Sequence, residues 1–164
     1  MPYTDYERPP KQPLTKEVAL KKAQSWCAYQ DRCHEEARTK LLEWGQRGYD
    51  LEDIIASLIE ERFLDEERFA RSFARGKFRM KEWGRIKIRL ALQQKRVGAY
   101  CLRAAMSEIN DVEYRETIVS VYRKYLSLHP DTNTTEQHHK AVHYLLSRGF
   151  EYEVITETLA DVKP

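Results

Sequence analysis

The stretch ARTKLLEWGQRGYDLEDIIASL, residues 37–58, sets Ala37, Leu41, Gly45, Leu51, Ile55 and Leu58 at spacings of +4, +4, +6, +4 and +3. The same spacings recur twice. Residues 88–109, IRLALQQKRVGAYCLRAAMSEI, supply Ile88, Leu92, Arg96, Leu102, Met106 and Ile109. Residues 141–162, AVHYLLSRGFEYEVITETLADV, supply Ala141, Leu145, Gly149, Ile155, Leu159 and Val162. Steps of three and four keep side chains on one helix face, and the step of six crosses a turn. Five of the six columns are apolar in every copy. The turn column reads Gly, Arg, Gly, at a point where a helix C-terminus favours glycine.

Each pair of helices is preceded by a third. Val18, Ala19 and Ala23 correspond to Phe69, Ala70 and Ala74 at an offset of 51, and SLHPDTNTT is the insertion that brings the last copy into line. The whole chain then reads as nine helices. Thr15 caps 16–30; 34–44 and 50–62 follow; Asp65 caps a helix to about 78; Trp83-Gly84 opens one to 95. The rest are 99–109, a helix to 128 capped by Asn110 or Asp111, a helix opened by the capping-box spacing Thr134-Thr135-Glu136-Gln137 and ending at Gly149, and 151–162. A repeat of roughly 50 residues exceeds the ~34 of a tetratricopeptide unit. The expected fold is all-α: three tandem three-helix repeats in an elongated, curved array. Its parts are a flexible tail at 1–14, which holds four of the six prolines, and repeats at 15–64, 65–109 and 110–164.

Composition agrees. With 33% charged and 41% apolar residues, and only six Gly and six Pro, the chain suits helices better than sheets. Cys27, Cys33 and Cys101 cannot all pair, and no CxxC occurs, which suggests a reducing compartment. The N-terminal stretch MPYTDYERPPKQPLT has acids and prolines where a signal peptide has an apolar run, and no stretch approaches the ~20 apolar residues of a spanning helix. A cytoplasmic monomer without membrane contact is the expectation.

Charge is distributed unevenly. Between Arg68 and Arg103 stand twelve Lys/Arg and one acid, Glu82, formally +11. The remainder holds 28 − 12 = 16 bases and 26 − 1 = 25 acids, formally −9. The candidate binding residues are Arg68, Arg71, Arg75, Lys77, Arg79, Lys81, Arg85, Lys87, Arg89, Lys95 and Arg96. Bases gathered on one surface release the counterions condensed on a polyanion, so nucleic acid is the expected partner. Arg68, Arg71, Arg75 and Arg79 share one helix face. Ile88, Ala91 and Leu92 form one apolar strip on the next helix, and Ile86, Leu90 and Val97 a second on nearly the opposite side. That helix should be sandwiched between neighbours, with Arg85, Arg89 and Arg96 lining an exposed furrow.

Catalytic readings are weaker than bland ones. Asp65, Glu66 and Glu67 open a helix and suit capping better than acid–base work. His139 and His143 are four apart, but the glutamate of a metalloprotease motif and a third ligand are missing. There is no phosphate-binding glycine loop and no nucleophile elbow, so no catalytic residue, metal or cofactor is expected. Trp83 could stack on a base, but packing between helices is the favoured reading, as for Trp44.

FLDEERFARSFARGKF followed by WGRIKIRLALQQKRV resembles the central repeat of the RecX family, regulators of the RecA recombinase. The shared pattern is the acidic pair Asp65-Glu66, Arg68-Phe69-Ala70, Phe73, the basic run from Arg75 to Lys81, then Gly84, Ile88 and Leu92. KLLEWG at residues 40–45 is similar to the family's first repeat. Ala91 departs from a frequent Glu, and Arg96 from the usual Gly of the turn. The resemblance implies a non-enzymatic protein that binds in the groove of the RecA–DNA filament. It would limit ATP turnover, strand exchange, recombination and SOS activity, touching single- and double-stranded DNA weakly and without sequence preference. The alternative is a helical DNA-binding protein of the transcription-factor kind, which would need a recognition helix and usually a symmetric dimer.

Overall fold

The computed structural model describes residues 12–130 and 132–163. Among them are nine helices and no strand: α1 Lys16–Tyr29, α2 His34–Glu43, α3 Gly48–Glu60, α4 Glu66–Lys81, α5 Arg85–Gln94, α6 Ala99–Ser107, α7 Asp111–Leu128, α8 Thr134–Ser147 and α9 Tyr152–Leu159. The all-α, three-helix reading is thus correct. None of the helices is long and apolar enough to cross a membrane.

The turn column explains itself in the backbone. Gly45, Arg96 and Gly149 all take the left-handed conformation, at φ +85°, +57° and +93°. In each copy the next residue's N–H closes the helix: Gln46 to Leu41 O at 2.9 Å, Val97 to Leu92 O at 3.1 Å, Phe150 to Leu145 O at 3.2 Å. This is the bond that satisfies an orphan carbonyl at a helix C-terminus. Arg96 adopts without a glycine what the other two copies adopt with one.

Caps decide where helices begin. Thr15 accepts from Val18 N–H and Asn110 from Val112 and Glu113 N–H, as their positions suggest. Helix α3 begins at Gly48, two residues before the expected 50; one further cap was misassigned and one was not named. Asn133, not Thr134, caps α8 by accepting from Glu136 N–H. Cys33 caps α2, its Sγ accepting from Glu36 N–H at 3.4 Å while Glu36 Oε2 accepts from Cys33 N–H at 3.1 Å. A thiol stands where Ser or Thr is usual in a capping box.

The described residues form two compact units, one up to Glu66 and one from Glu67 onward. In the first, α1 and α2 pack on α3 around Ala19, Ala23, Ala37, Leu41, Leu51, Ile54, Ile55 and Leu58. Lys16 bridges to Asp53 at 2.8 Å, and Arg38 pairs with Glu52. Leu14 belongs to this unit and not to a loose tail. Its N–H donates to Trp44 O at 3.0 Å and its carbonyl accepts from the buried Gln46 Nε2 at 2.6 Å. Pro13 lies so close to Gly45 that a Cβ there would sit 2.6 Å from the proline Cβ. Residues 1–11 of the expected tail lie outside the described residues.

The second unit takes in the last two repeats together. Phe69, Ala70, Ala74 and Phe78 of α4, Ile88 and Leu92 of α5, Tyr114, Ile118 and Tyr122 of α7, Leu145 of α8, and Ile155 of α9 are all buried. The second apolar strip expected on α5 is not a packed face: Ile86 is 41% and Leu90 54% exposed, and only Val97 is buried. Helix α5 is therefore half-buried rather than sandwiched. At its start, Gly84 N–H donates to Arg148 O at 2.8 Å, Arg85 N–H to Tyr114 Oη at 3.0 Å, and Ile86 N–H to Gly149 O at 3.0 Å. A Cβ on Gly84 would collide with the carbonyl of Gly149, and one on Gly149 would sit 2.6 Å from Lys87 N. Two glycines thus let α5 stand end-on against the α8–α9 turn.

Two leucines on α5 give a direct check of this burial. Leu92 is fully buried, so Leu92→Ala should cost about 2–5 kcal/mol in chemical denaturation. Leu90→Ala, at a site 54% exposed, should stay within about 0.5 kcal/mol of the parent. Equal losses would contradict the assignment of the α5 core face.

Candidate nucleic-acid interface

Of the eleven basic residues, Arg71, Arg75 and Arg85 are held by acids and Arg79 lies near one. Arg71 pairs with Glu67 at 3.0 Å and Glu108 at 2.9 Å, and Arg75 with the other oxygen of Glu108 at 3.1 Å. Arg79 lies 3.8 Å from Glu113, a solvated pair of little strength. Arg85 pairs with Asp111 and lays its guanidinium 4.0 Å from the centre of the Tyr114 ring. With its side chain only 19% exposed, Arg85 lines no open furrow. Glu108, Asp111 and Glu113 follow the basic tract in sequence but face it in space, so its arginines are partly compensated.

The Glu108 carboxyl is held below its ordinary value of 4.5, first by its hydrogen bond with Arg71, then by Arg75. The Tyr114 phenol is pushed well above its ordinary value, chiefly by burial; the bond from Arg85 N–H opposes this and the bond donated to Glu151 at 2.7 Å adds to it. Tyr114 is thus a neutral, structural phenol. It stacks obliquely between Phe78 at 5.8 Å and Phe150 at 5.2 Å.

Three lysines of the tract, Lys77, Lys87 and Lys95, lie over aromatic rings. Lys77 Nζ lies 5.4 Å from the centre of Phe73 and 4.8 Å from that of Trp83. Lys87 Nζ lies 4.5 Å from Trp83 on the next helix. Lys95 Nζ is 6.0 Å from both Phe73 and Phe69, whose rings are 5.7 Å apart. The order across the surface is Lys95, Phe73, Lys77, Trp83, Lys87: cation and ring alternate. All five side chains are half-buried, so the rings are anchored yet accessible. Lys77 and Lys87 enter no ion pair among the described residues. Arg68, Lys81, Arg89 and Arg96 are exposed on the same two helices and the turn after α5.

A positively charged track with flat apolar rings has a definite chemical capability. Ammonium groups meet phosphates, and rings accept unstacked bases, with base–aromatic stacking worth about 1–3 kcal/mol per base. A ring flanked by cations is also held in place by cation–π attraction. Sequence reasoning listed the lysines, weighed base stacking for Trp83 but favoured packing, and gave Phe73 no binding role. The available signal was the pair of i,i+4 steps, Phe73 to Lys77 and Trp83 to Lys87, on either side of the Glu82 turn.

Fold and surface together define an all-helical protein of three-helix domains with a basic, aromatic-bearing middle domain. Residues 65–106 match the family description "RecX, second three-helix domain" and residues 112–159 "RecX, third three-helix domain". The chain belongs to the RecX family. It is 28% identical over 145 residues to regulatory protein RecX of Prosthecochloris aestuarii, covering 88% of this chain and 93% of that one. To the RecX of Chlorobaculum tepidum it is 29% identical over 117 residues, 70% of this chain and 71% of the relative. To the RecX of Clostridium botulinum it is 29% identical over 120 residues, 70% of this chain but 56% of the relative. Among solved structures, RecX from Lactobacillus salivarius superposes with a TM-score of 0.81 at 21% identity, covering 90% and 96% of the two chains. A second crystal structure of regulatory protein RecX gives 0.80 at 21% identity, over 89% of this chain and 71% of that one.

The Glu108 bridge has a pH signature. A carboxyl whose folded value is depressed adds stability above its unfolded range and loses it as pH falls through the folded value. Acidification below the ordinary value of 4.5 should therefore weaken the arginine–carboxylate link. Glu108→Gln should lower the melting temperature at neutral pH, and the two curves should converge at a pH acid enough to protonate the carboxyl in both states. Parallel curves down to that pH would show that the carboxylate charge is not what Arg71 and Arg75 hold.

Proposed function

We propose that this chain is a non-enzymatic regulator that binds the RecA–DNA filament and restrains its ATP turnover and strand exchange. The observation that carries the reading is the alternation of Lys95, Phe73, Lys77, Trp83 and Lys87, which suits a stretched single strand whose bases are accessible. Family membership supports the partner, since the relatives bear the name regulatory protein RecX. In this reading Lys77, Lys87 and the exposed Arg68, Arg89 and Arg96 contact phosphate, while Arg71 and Arg75 tie α4 to Glu108 within the second repeat and Arg85 reaches Asp111 of the third. DNA contact through such a track is sequence-blind and falls with salt, at a log–log slope of about −0.7 per neutralised single-strand phosphate.

The test is single-strand-dependent ATP hydrolysis by RecA, with this protein titrated from far below to above equimolar. Inhibition is expected at substoichiometric amounts, which coating of free DNA cannot produce. Lys77→Glu with Lys87→Glu should raise the half-inhibitory concentration by about tenfold or more, with helicity unchanged. No inhibition until the DNA is saturated, or full inhibition by that double variant, would overturn the reading.

A further inference from the structure

Beside the α4–α5 turn, α4, α7 and α8 enclose a hollow of about 330 Å³, at the small end of the roughly 300–1,000 Å³ range of ligand pockets. It takes no part in the lysine–aromatic strip. Its apolar wall is unusual for how open it stands: Met80 is 83% exposed, Leu128 66% and Tyr144 39%. Its rim carries Lys81, Lys124 and Arg148 against one carboxylate, Glu82. Lys81 and Lys124 are exposed and enter no ion pair among the described residues, while the Arg148 guanidinium donates to Lys81 O.

Two kinds of anionic partner could meet a basic rim, and the hollow distinguishes them. A nucleobase needs a flat ring face. Here the Tyr125 ring is already stacked on His129, with centroids 4.1 Å apart, and on Tyr144, 5.1 Å away. The most open surface is the flexible aliphatic one of Met80 and Leu128. Methionine and leucine walls adapt to an inserted apolar side chain, and charges at the edge add orientation and faster encounter. We infer that this hollow docks an acidic protein segment, one large apolar side chain of which seats between Met80 and Leu128 while flanking carboxylates meet Lys81, Lys124 and Arg148. The inference rests on the hollow alone and stands whether or not the strip binds DNA.

The probe is a fluorescein-labelled synthetic peptide with Asp and Glu flanking a single central Phe, followed by fluorescence anisotropy. Saturable, salt-sensitive binding is expected. It should weaken by about tenfold or more when the peptide's Phe becomes Ser, and likewise in Met80→Glu. Met80 is exposed enough that this change leaves the fold intact, which circular dichroism checks; Lys124→Glu provides an independent second variant. Absence of saturable binding up to roughly 1 mM would overturn the inference, as would full binding by both variants. Displacement of the peptide by a dT oligonucleotide whose own binding Met80→Glu weakens would overturn it in favour of a nucleic-acid groove. Self-association that Met80→Glu abolishes would overturn it in favour of a second copy of this chain.

Discussion

The second unit depends on the way α5 begins. A helix normally leaves its first N–H groups to water or to a capping side chain. Here Gly84, Arg85 and Ile86 donate to Arg148 O, the Tyr114 hydroxyl and Gly149 O. The electropositive end of α5 thereby meets the electronegative end of α8, an arrangement the two helix dipoles favour. Contact this close is possible only because neither Gly84 nor Gly149 carries a Cβ. Tyr114 reinforces the joint by accepting from α5, donating to Glu151 before α9, and packing its ring on Phe78 and Phe150.

The joint sets where the charges go. Docking α5 on the third repeat brings Asp111 to Arg85, while Glu108 and Glu113 meet the arginine face of α4. Arg71, Arg75 and Arg85 are paired there, while Arg79 keeps only a long, solvated contact. The opposite border of α4, with Phe73 and Lys77, faces Trp83 in the α4–α5 turn, whose ring Lys87 of α5 also approaches. Within one strongly basic tract, Arg71, Arg75 and Arg85 meet acids while Lys77 and Lys87 lie over rings. The difference suits the side chains. A guanidinium makes several directed bonds to carboxylates, whereas an ammonium remains a mobile, strongly hydrated point charge suited to a phosphate.

Much of the fold was legible in the sequence because it is written in local periodicity. Leu41, Leu92 and Leu145 recur with their turn residues Gly45, Arg96 and Gly149, and the left-handed backbone at all three follows from that column. What was not legible depends on neighbours distant in the chain. Arg85 read as a surface charge because Asp111 and Tyr114 are more than a helix away. Ile86 and Leu90 read as a packed strip because their apolar character does not reveal whether anything covers them. Cys33 and Asn133 were passed over as caps because Thr134 offered a familiar pattern and cysteine rarely fills the role. For the candidate site, the basic tract was clear, but Phe73 and Trp83 have the same spacing whether they serve a core or a surface. Only the lysines laid over their rings separate the two.

Native-state hydrogen exchange of the Gly84, Arg85 and Ile86 amides tests the joint between the second and third repeats most directly. The account predicts that these three exchange with the protection of buried α7 amides such as Ile118, and that all of them open together. Exchange near the rate of an unprotected helix start, while α7 stays protected, would contradict it.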